Sequence, residues 1–218
     1  MSLPHIFVVG DSISMAYGPY LQRYTAGRFA YARKGDKIGD IELPHAEHDA
    51  NGGDSRTVLS YLRALHEAGF RTDYLLLNCG LHDIKREPGT NALQVPPEEY
   101  LDNLKAIFPL VIEMALQPVW VRTIPVDEAL HTAEEKGFLR FLADVEEYNR
   151  IADETMYAAN IPVLDLYSFT QNLGENLSPG GVHFSDEVAA QQAAFLAGAL
   201  AALEARKAVE RYEEKDES

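Results

Sequence analysis

The sequence of 218 residues holds one cysteine, Cys79, and one tryptophan, Trp120. A lone cysteine excludes an intramolecular disulfide, so the fold must hold by packing alone, which suits a reducing, cytoplasmic setting. Positive charge is scarce: 19 Lys and Arg face 34 Asp and Glu, for a formal charge of −15. Such a surface repels phosphate backbones and argues against general nucleic-acid binding; solubility is the plain account of it. No apolar run approaches the roughly 20 residues needed to span a bilayer, so no membrane partner is expected. The first residues carry no basic region ahead of a long apolar core, so His5–Gly10 reads as a strand and not as a signal segment. Met1-Ser2-Leu3 is also compatible with a replaced natural leader. Repeats, low-complexity stretches and Gly-, Ser- or Pro-rich linkers are lacking too. A single domain over residues 1–218 is therefore expected, with an acidic helix end or tail from about 206 to 218. Composition gives no oligomeric state.

What is present is alternation. Strand-like runs occur at His5–Gly10, Arg28–Arg33, Asp73–Cys79, Val119–Thr123 and Pro162–Leu166. Between them lie amphipathic segments over Ser12–Tyr24, Ser55–Ala68, Pro97–Leu116 and Lys136–Ala159. Asp54 or Ser55 should cap the second helix and Gly69 should end it. Pro109 should kink or split the third. Ser185 should cap a last helix whose first turn holds Asp186 and Glu187. Lys34–Asn51 has no clear period and reads as an irregular excursion. Strands alternating with helices predict a parallel sheet covered on both faces, with chemistry at the carboxyl ends of the strands.

Four segments sit where that chemistry belongs. Gly10-Asp11-Ser12 ends the first strand and opens a helix. There a hydroxyl stands beside backbone N–H groups that can bind a developing oxyanion, although serine is also an ordinary helix cap. A serine hydroxyl needs a base. His183, on the loop after the last strand, lies at the same sheet edge and can supply one; its plain alternative is a structural histidine. Asn51-Gly52-Gly53-Asp54-Ser55 lets backbone N–H groups approach a ligand, or is simply a turn with a helix cap. Gly80-Leu81-His82-Asp83 places a side-chain donor near the same point, or is a polar loop.

Taken together and in this order, the four resemble the conserved blocks of the SGNH hydrolases, the GDSL-type esterases and lipases. Gly10-Asp11-Ser12 is similar to the nucleophile block, and Gly53, with Gly52 as second choice, to the oxyanion-hole glycine. Gly80-Leu81-His82-Asp83 is similar to Gly-x-Asn-Asp, and Gly180-Gly181-Val182-His183 to Asp-x-x-His. The segments VRTIPV and NIPVLDLYSF also look like strands of this family, and the resemblance spans about Pro4 to Leu203. It implies a three-layer α/β/α sandwich with a five-stranded parallel sheet, flavodoxin-like in order. It also implies hydrolysis of carboxylic esters through an acyl-enzyme on Ser12, with His183 as base. The N–H groups of Ser12 and Gly53, together with His82, would hold the oxyanion. No metal or organic cofactor is implied. The expected partner is a small-molecule ester, with a short acyl or acetyl group on a sugar or small metabolite. An acyltransferase would use the same intermediate.

The chain departs from the family pattern twice. His82 replaces the usual asparagine; an imidazole N–H can still donate. Gly180 replaces the aspartate that orients the histidine. Either a backbone carbonyl supports a Ser–His dyad, or Glu175 or Asp186 reaches over, or the site is weak and the protein binds a carbohydrate or acylated ligand. The helix after Ser185 should turn Asp186 away. Asp11 and Asp83 read as hydrogen-bond supports, and Asn78 as a strand residue. His45, His48 and Asp49, with Asp36 and Asp40, are the rival metal set. Arg122 reads as an ion-pair or substrate residue, Asp165 as a strand-end aspartate, and Trp120 as core or rim.

Overall fold

A computed structural model of the chain describes residues 2–37, 41, 49–131, 137–174, 177 and 180–216, with side chains through Lys207. The strands are β1 (His5–Val9), β2 (Ala30–Arg33), β3 (Thr72–Leu77), β4 (Ala115–Val121) and β5 (Val163–Leu164). All neighbouring pairs are parallel, in the order β2-β1-β3-β4-β5. The helices are α1 (Ser12–Thr25), α2 (Ser55–Glu67), α3 (Pro97–Met114), α4 (Leu142–Ala158), α5 (Leu166–Gln171) and α6 (Asp186–Asp216). Helix α1 packs on α6, while α3 packs on both α2 and α4. Helices on the two sides explain why Ile6–Val9 and Tyr74–Leu77 are apolar without alternation: both faces of these strands are buried.

The order of the sheet positions the chemistry. From β1 the chain crosses outward to β2 and then returns to β3 on β1's other side. The carboxyl ends of β1 and β3 flank this switch point, where a crevice forms in open parallel sheets. Gly10-Asp11-Ser12 leaves β1 there, and Gly80-Leu81-His82-Asp83 leaves β3.

Local structure departs from expectation at several boundaries. Helix α3 runs unbroken through Pro109 and passes directly into β4, because Ala115 already pairs with Thr72. Helix α4 begins at Leu142 and not near Lys136: Leu139 bridges to Arg86, and that pairing holds the preceding backbone extended. Strand β5 is only two residues long, because the side chain of Asp165 accepts from the N–H of Ser168 and starts α5 at once. The expectation about apolar runs also needs correcting. Asp186–Lys207 within α6 is long and apolar enough to cross a membrane by length and composition. Its hydropathy comes largely from alanine, and Val188, Ala189, Ala193, Leu196 and Leu200 are buried in the fold.

Candidate active site

The candidate nucleophile is held by the start of α1. Asp11 is its N-cap: Oδ1 accepts from the N–H of Ile13 at 2.9 Å. Ser12 is the first helical residue, so its own N–H has no intrahelical acceptor and is open to a ligand. Oγ of Ser12 lies 2.9 Å from Nε2 of His183. The two predicted residues, 171 positions apart, are thus within hydrogen-bond distance. His183 is exposed, on the loop that leads to Ser185, whose Oγ and carbonyl cap α6.

The second loop docks directly on the first. The N–H of Gly52 donates to the carbonyl of Gly10 at 2.9 Å, and a Cβ at Gly52 would stand 3.1 Å from that oxygen. Gly53 has φ +69, and its N–H donates to Oδ1 of Asn51 at 2.9 Å. That amide is therefore already engaged by a neighbouring carboxamide, and an oxyanion there would have to share it. Asp54 caps α2 through the N–H of Thr57.

In the third loop Gly80 has φ +147, and a Cβ there would come within 2.6 Å of Oγ1 of Thr123, so only glycine fits. The turn that follows carries His82. Nδ1 of His82 lies 3.1 Å from Nζ of Lys85. Burial, reinforced by the charges of Lys85 and Arg140, pushes the imidazole down to about 4, so His82 is neutral near pH 7. Asp83 is buried; its Oδ1 accepts from the N–H of Ser55 at 2.9 Å, tying this loop to the start of α2. Burial raises its carboxyl to about 7. Asn78 donates to the carbonyl of Val121 and to Oγ1 of Thr123, a structural use that matches its reading as a strand residue.

The fourth loop is fixed from outside. The carbonyl of Gly181 accepts from the N–H of Asp127 at 2.7 Å. Gly181 itself lies against His131. His131 and Arg140 are both buried; Nη1 of Arg140 meets Nε2 of His131 at 3.0 Å, while its Nε donates to the carbonyl of Leu81 at 2.5 Å. The His131–Arg140 pair thus bridges the His183 loop to the His82 turn. Burial lowers the Arg140 guanidinium to about 10, and Asp11 is its principal counter-charge. Burial raises the carboxyl of Asp11, offset by its bond from Ile13 and by the charge of Arg140. Oδ2 of Asp11 has no hydrogen-bond partner among the described residues.

Lys85, His131 and Arg140 were not singled out in the sequence. Lys85 had a faint signal in its spacing, three residues after His82; the other two had none. At Gly180 a Cβ would meet nothing within 4 Å among the described residues. Asp186 lies exposed in the first turn of α6, and Glu175 lies outside the described residues. Arg122 is occupied: it pairs with Asp153 and, at 2.9 Å, with Asp165. His45, His48 and Asp40 of the metal reading lie outside the described residues. Asp36 and Asp49 accept from nearby backbone N–H groups. Among the described residues no three His, Cys, Asp or Glu side chains form a metal-holding group. Beside His183, Phe184 lines an open groove of about 580 Å³ that also takes in Val126, Asp127, Glu128 and Gln171.

A parallel sheet with helices on both sides, and with Ser12 and His183 within hydrogen-bond distance at its carboxyl edge, defines an α/β protein. The chain belongs to the GDSL-like lipase/acylhydrolase family, which matches residues 6–196. Among curated proteins none matches. Among solved structures, a lipase/acylhydrolase from Enterococcus faecalis has a TM-score of 0.66 at 18% identity, covering 91% of this chain and 95% of that one. The M. smegmatis aryl esterase has a TM-score of 0.65 at 15% identity, with coverage of 92% and 99%. A carbohydrate acetylesterase from Sinorhizobium meliloti has a TM-score of 0.64 at 13% identity, again covering 92% and 99%. At these identities the likeness establishes the fold: the SGNH type of α/β sandwich, as expected. Family and neighbours together support an ester hydrolase.

Proposed function

We propose that the protein is a serine esterase that cleaves short acyl groups, acetyl above all, from a sugar or other small metabolite. The observation that carries this reading is the 2.9 Å approach of Ser12 Oγ to His183 Nε2. Oγ attacks the ester carbonyl as its proton passes to Nε2. The tetrahedral oxyanion is received by the N–H of Ser12, by Nε2–H of His82 and, shared with Asn51, by the N–H of Gly53. Collapse expels the alcohol, which takes the proton from His183. Water then gives a proton to Nε2 of His183 and attacks the acyl-enzyme; Oγ leaves with that proton, releasing the carboxylic acid and free Ser12. Gly180 supplies no acid, and in this reading a backbone carbonyl orients His183 in its place.

The substrate class rests on the groove beside Phe184, whose mixture of carboxylate, amide and apolar lining suits a sugar ring. The acetylesterase among the structural neighbours accords with it. A cytoplasmic location belongs to the same reading, since the single cysteine is buried and free. Gly180 favours a second reading, a weakly active protein that binds an acylated or carbohydrate ligand.

A fluorophosphonate probe separates the two. The esterase reading expects rapid labelling of the wild type and none in Ser12→Ala. It also expects p-nitrophenyl esters to be cleaved with kcat/KM falling from acetate to octanoate. Absence of labelling at high probe concentration leaves only the binding protein.

A further inference from the structure

An amide donor works in one way only; an imidazole donor depends on which nitrogen holds the proton and which way the ring faces. A histidine in the oxyanion position therefore needs something that an asparagine there does not. Lys85 meets that need. An ammonium can only donate, so its 3.1 Å contact makes Nδ1 of His82 an acceptor. The single proton of a neutral His82 must then sit on Nε2. Rotating the ring by 180° would put a carbon against the ammonium, so the same bond fixes orientation. Lys85 is itself held: its Nζ lies 4.8 Å from the ring centre of Phe138, on which the guanidinium of Arg140 also packs. Among the described residues it has no carboxylate within salt-bridge distance. The backbone closes the turn as well, with the N–H of Lys85 donating to the carbonyl of His82.

We propose that Lys85 is a positioning residue which, by donating to Nδ1 of His82, holds that imidazole with its proton on Nε2 and aimed as the oxyanion donor. This rests on the esterase reading above. The charged groups acting on His82 agree with it: Lys85, Arg140 and His183 oppose protonation of the ring, while Asp54 favours it.

The experiment has two arms on the full chain. Long-range ¹H–¹⁵N NMR of ¹⁵N-histidine protein at pH 7, assigned by the signal lost in His82→Asn, reads the tautomer directly. A bare Nδ1 and a protonated Nε2 are expected in the wild type. Lys85→Met should shift those resonances and let the ring titrate at higher pH, and Lys85→Arg should restore them. Kinetics on p-nitrophenyl acetate forms the second arm. Lys85→Met should lower kcat about tenfold with KM within twofold, below the roughly 10²–10³ for loss of a whole donor. In His82→Ala or His82→Asn backgrounds Lys85→Met should cost nothing further. A wild-type ring protonated on Nδ1 overturns the proposal, as does an equal loss from Lys85→Met with and without His82. Should Lys85→Met fail to fold, the wild-type spectrum still decides. Failure of the esterase reading shows separately, as a Ser12 that no probe labels.

Discussion

Gly181 lies so close to His131 that a Cβ on it would stand 2.9 Å from the histidine's own Cβ. Its φ is +80, a region that suits glycine. The contact sits two residues before His183 and fastens that loop to the buried His131–Arg140 pair. Gly181→Ala should therefore lose about 2–3 kcal/mol of stability, from backbone strain and the clash together. Its kcat/KM should fall at least tenfold, since Nε2 of His183 would leave its place beside Ser12. Gly198→Ala is the contrast: that glycine is exposed in α6 with nothing within 4 Å, and alanine should gain about 0.5–1 kcal/mol through helix propensity. Urea unfolding and p-nitrophenyl acetate hydrolysis on both variants check this. Equal stabilities would remove the argument.

The readability of this site in the sequence follows from how local each signal is. Gly10-Asp11-Ser12 and Gly80–Asp83 were legible because each directly follows a buried strand, and a parallel sheet sends such loops to one edge. His183 was legible by the same rule, from the far end of the chain. Arg140 and His131 were not, because their use depends on tertiary contacts with Leu81 and Gly181. No periodicity records those contacts. Helix α5 was hidden for a simpler reason: its six residues are too few to show a helical period, and the cap at Asp165 read as the end of a strand. The passage from Met114 into Ala115 was missed because no glycine or proline marks it. There, pairing with Thr72 sets the boundary.

Gly180 poses a sharper question, because the described residues leave room for a Cβ where the family pattern would put an acid. A Cβ at this position meets nothing within 4 Å among the described residues. Gly180→Asp should therefore fold normally, with Tm within about 2 °C of wild type. If His183 and Ser12 work as a dyad, kcat/KM on p-nitrophenyl acetate should stay within threefold. A rise of tenfold or more would show that the imidazole lacks orientation in the wild type, and would replace the dyad with a site waiting for its carboxylate.

Asp83 makes a prediction about stability against pH. Its carboxyl is buried, bonded to the N–H of Ser55 through Oδ1, while Oδ2 has no partner among the described residues. Burial raises it to about 7 in the folded protein, against roughly 3.9 in an unfolded chain. Between those values the folded state holds a proton that the unfolded state releases. The group's contribution to stability is thus fully present below the unfolded value and is lost as pH rises through the folded one. Asp83→Asn keeps an oxygen for Ser55 and has no proton to lose. The stability of this variant relative to wild type should therefore climb from pH 4.5 to pH 7.5, by roughly 2–4 kcal/mol. Urea unfolding at four pH values across that window measures it, and the other titrating groups cancel in the difference. Parallel curves for the two proteins would mean that Asp83 ionises as freely inside the fold as outside, and the tie between the His82 turn and α2 would then be an ordinary charged cap.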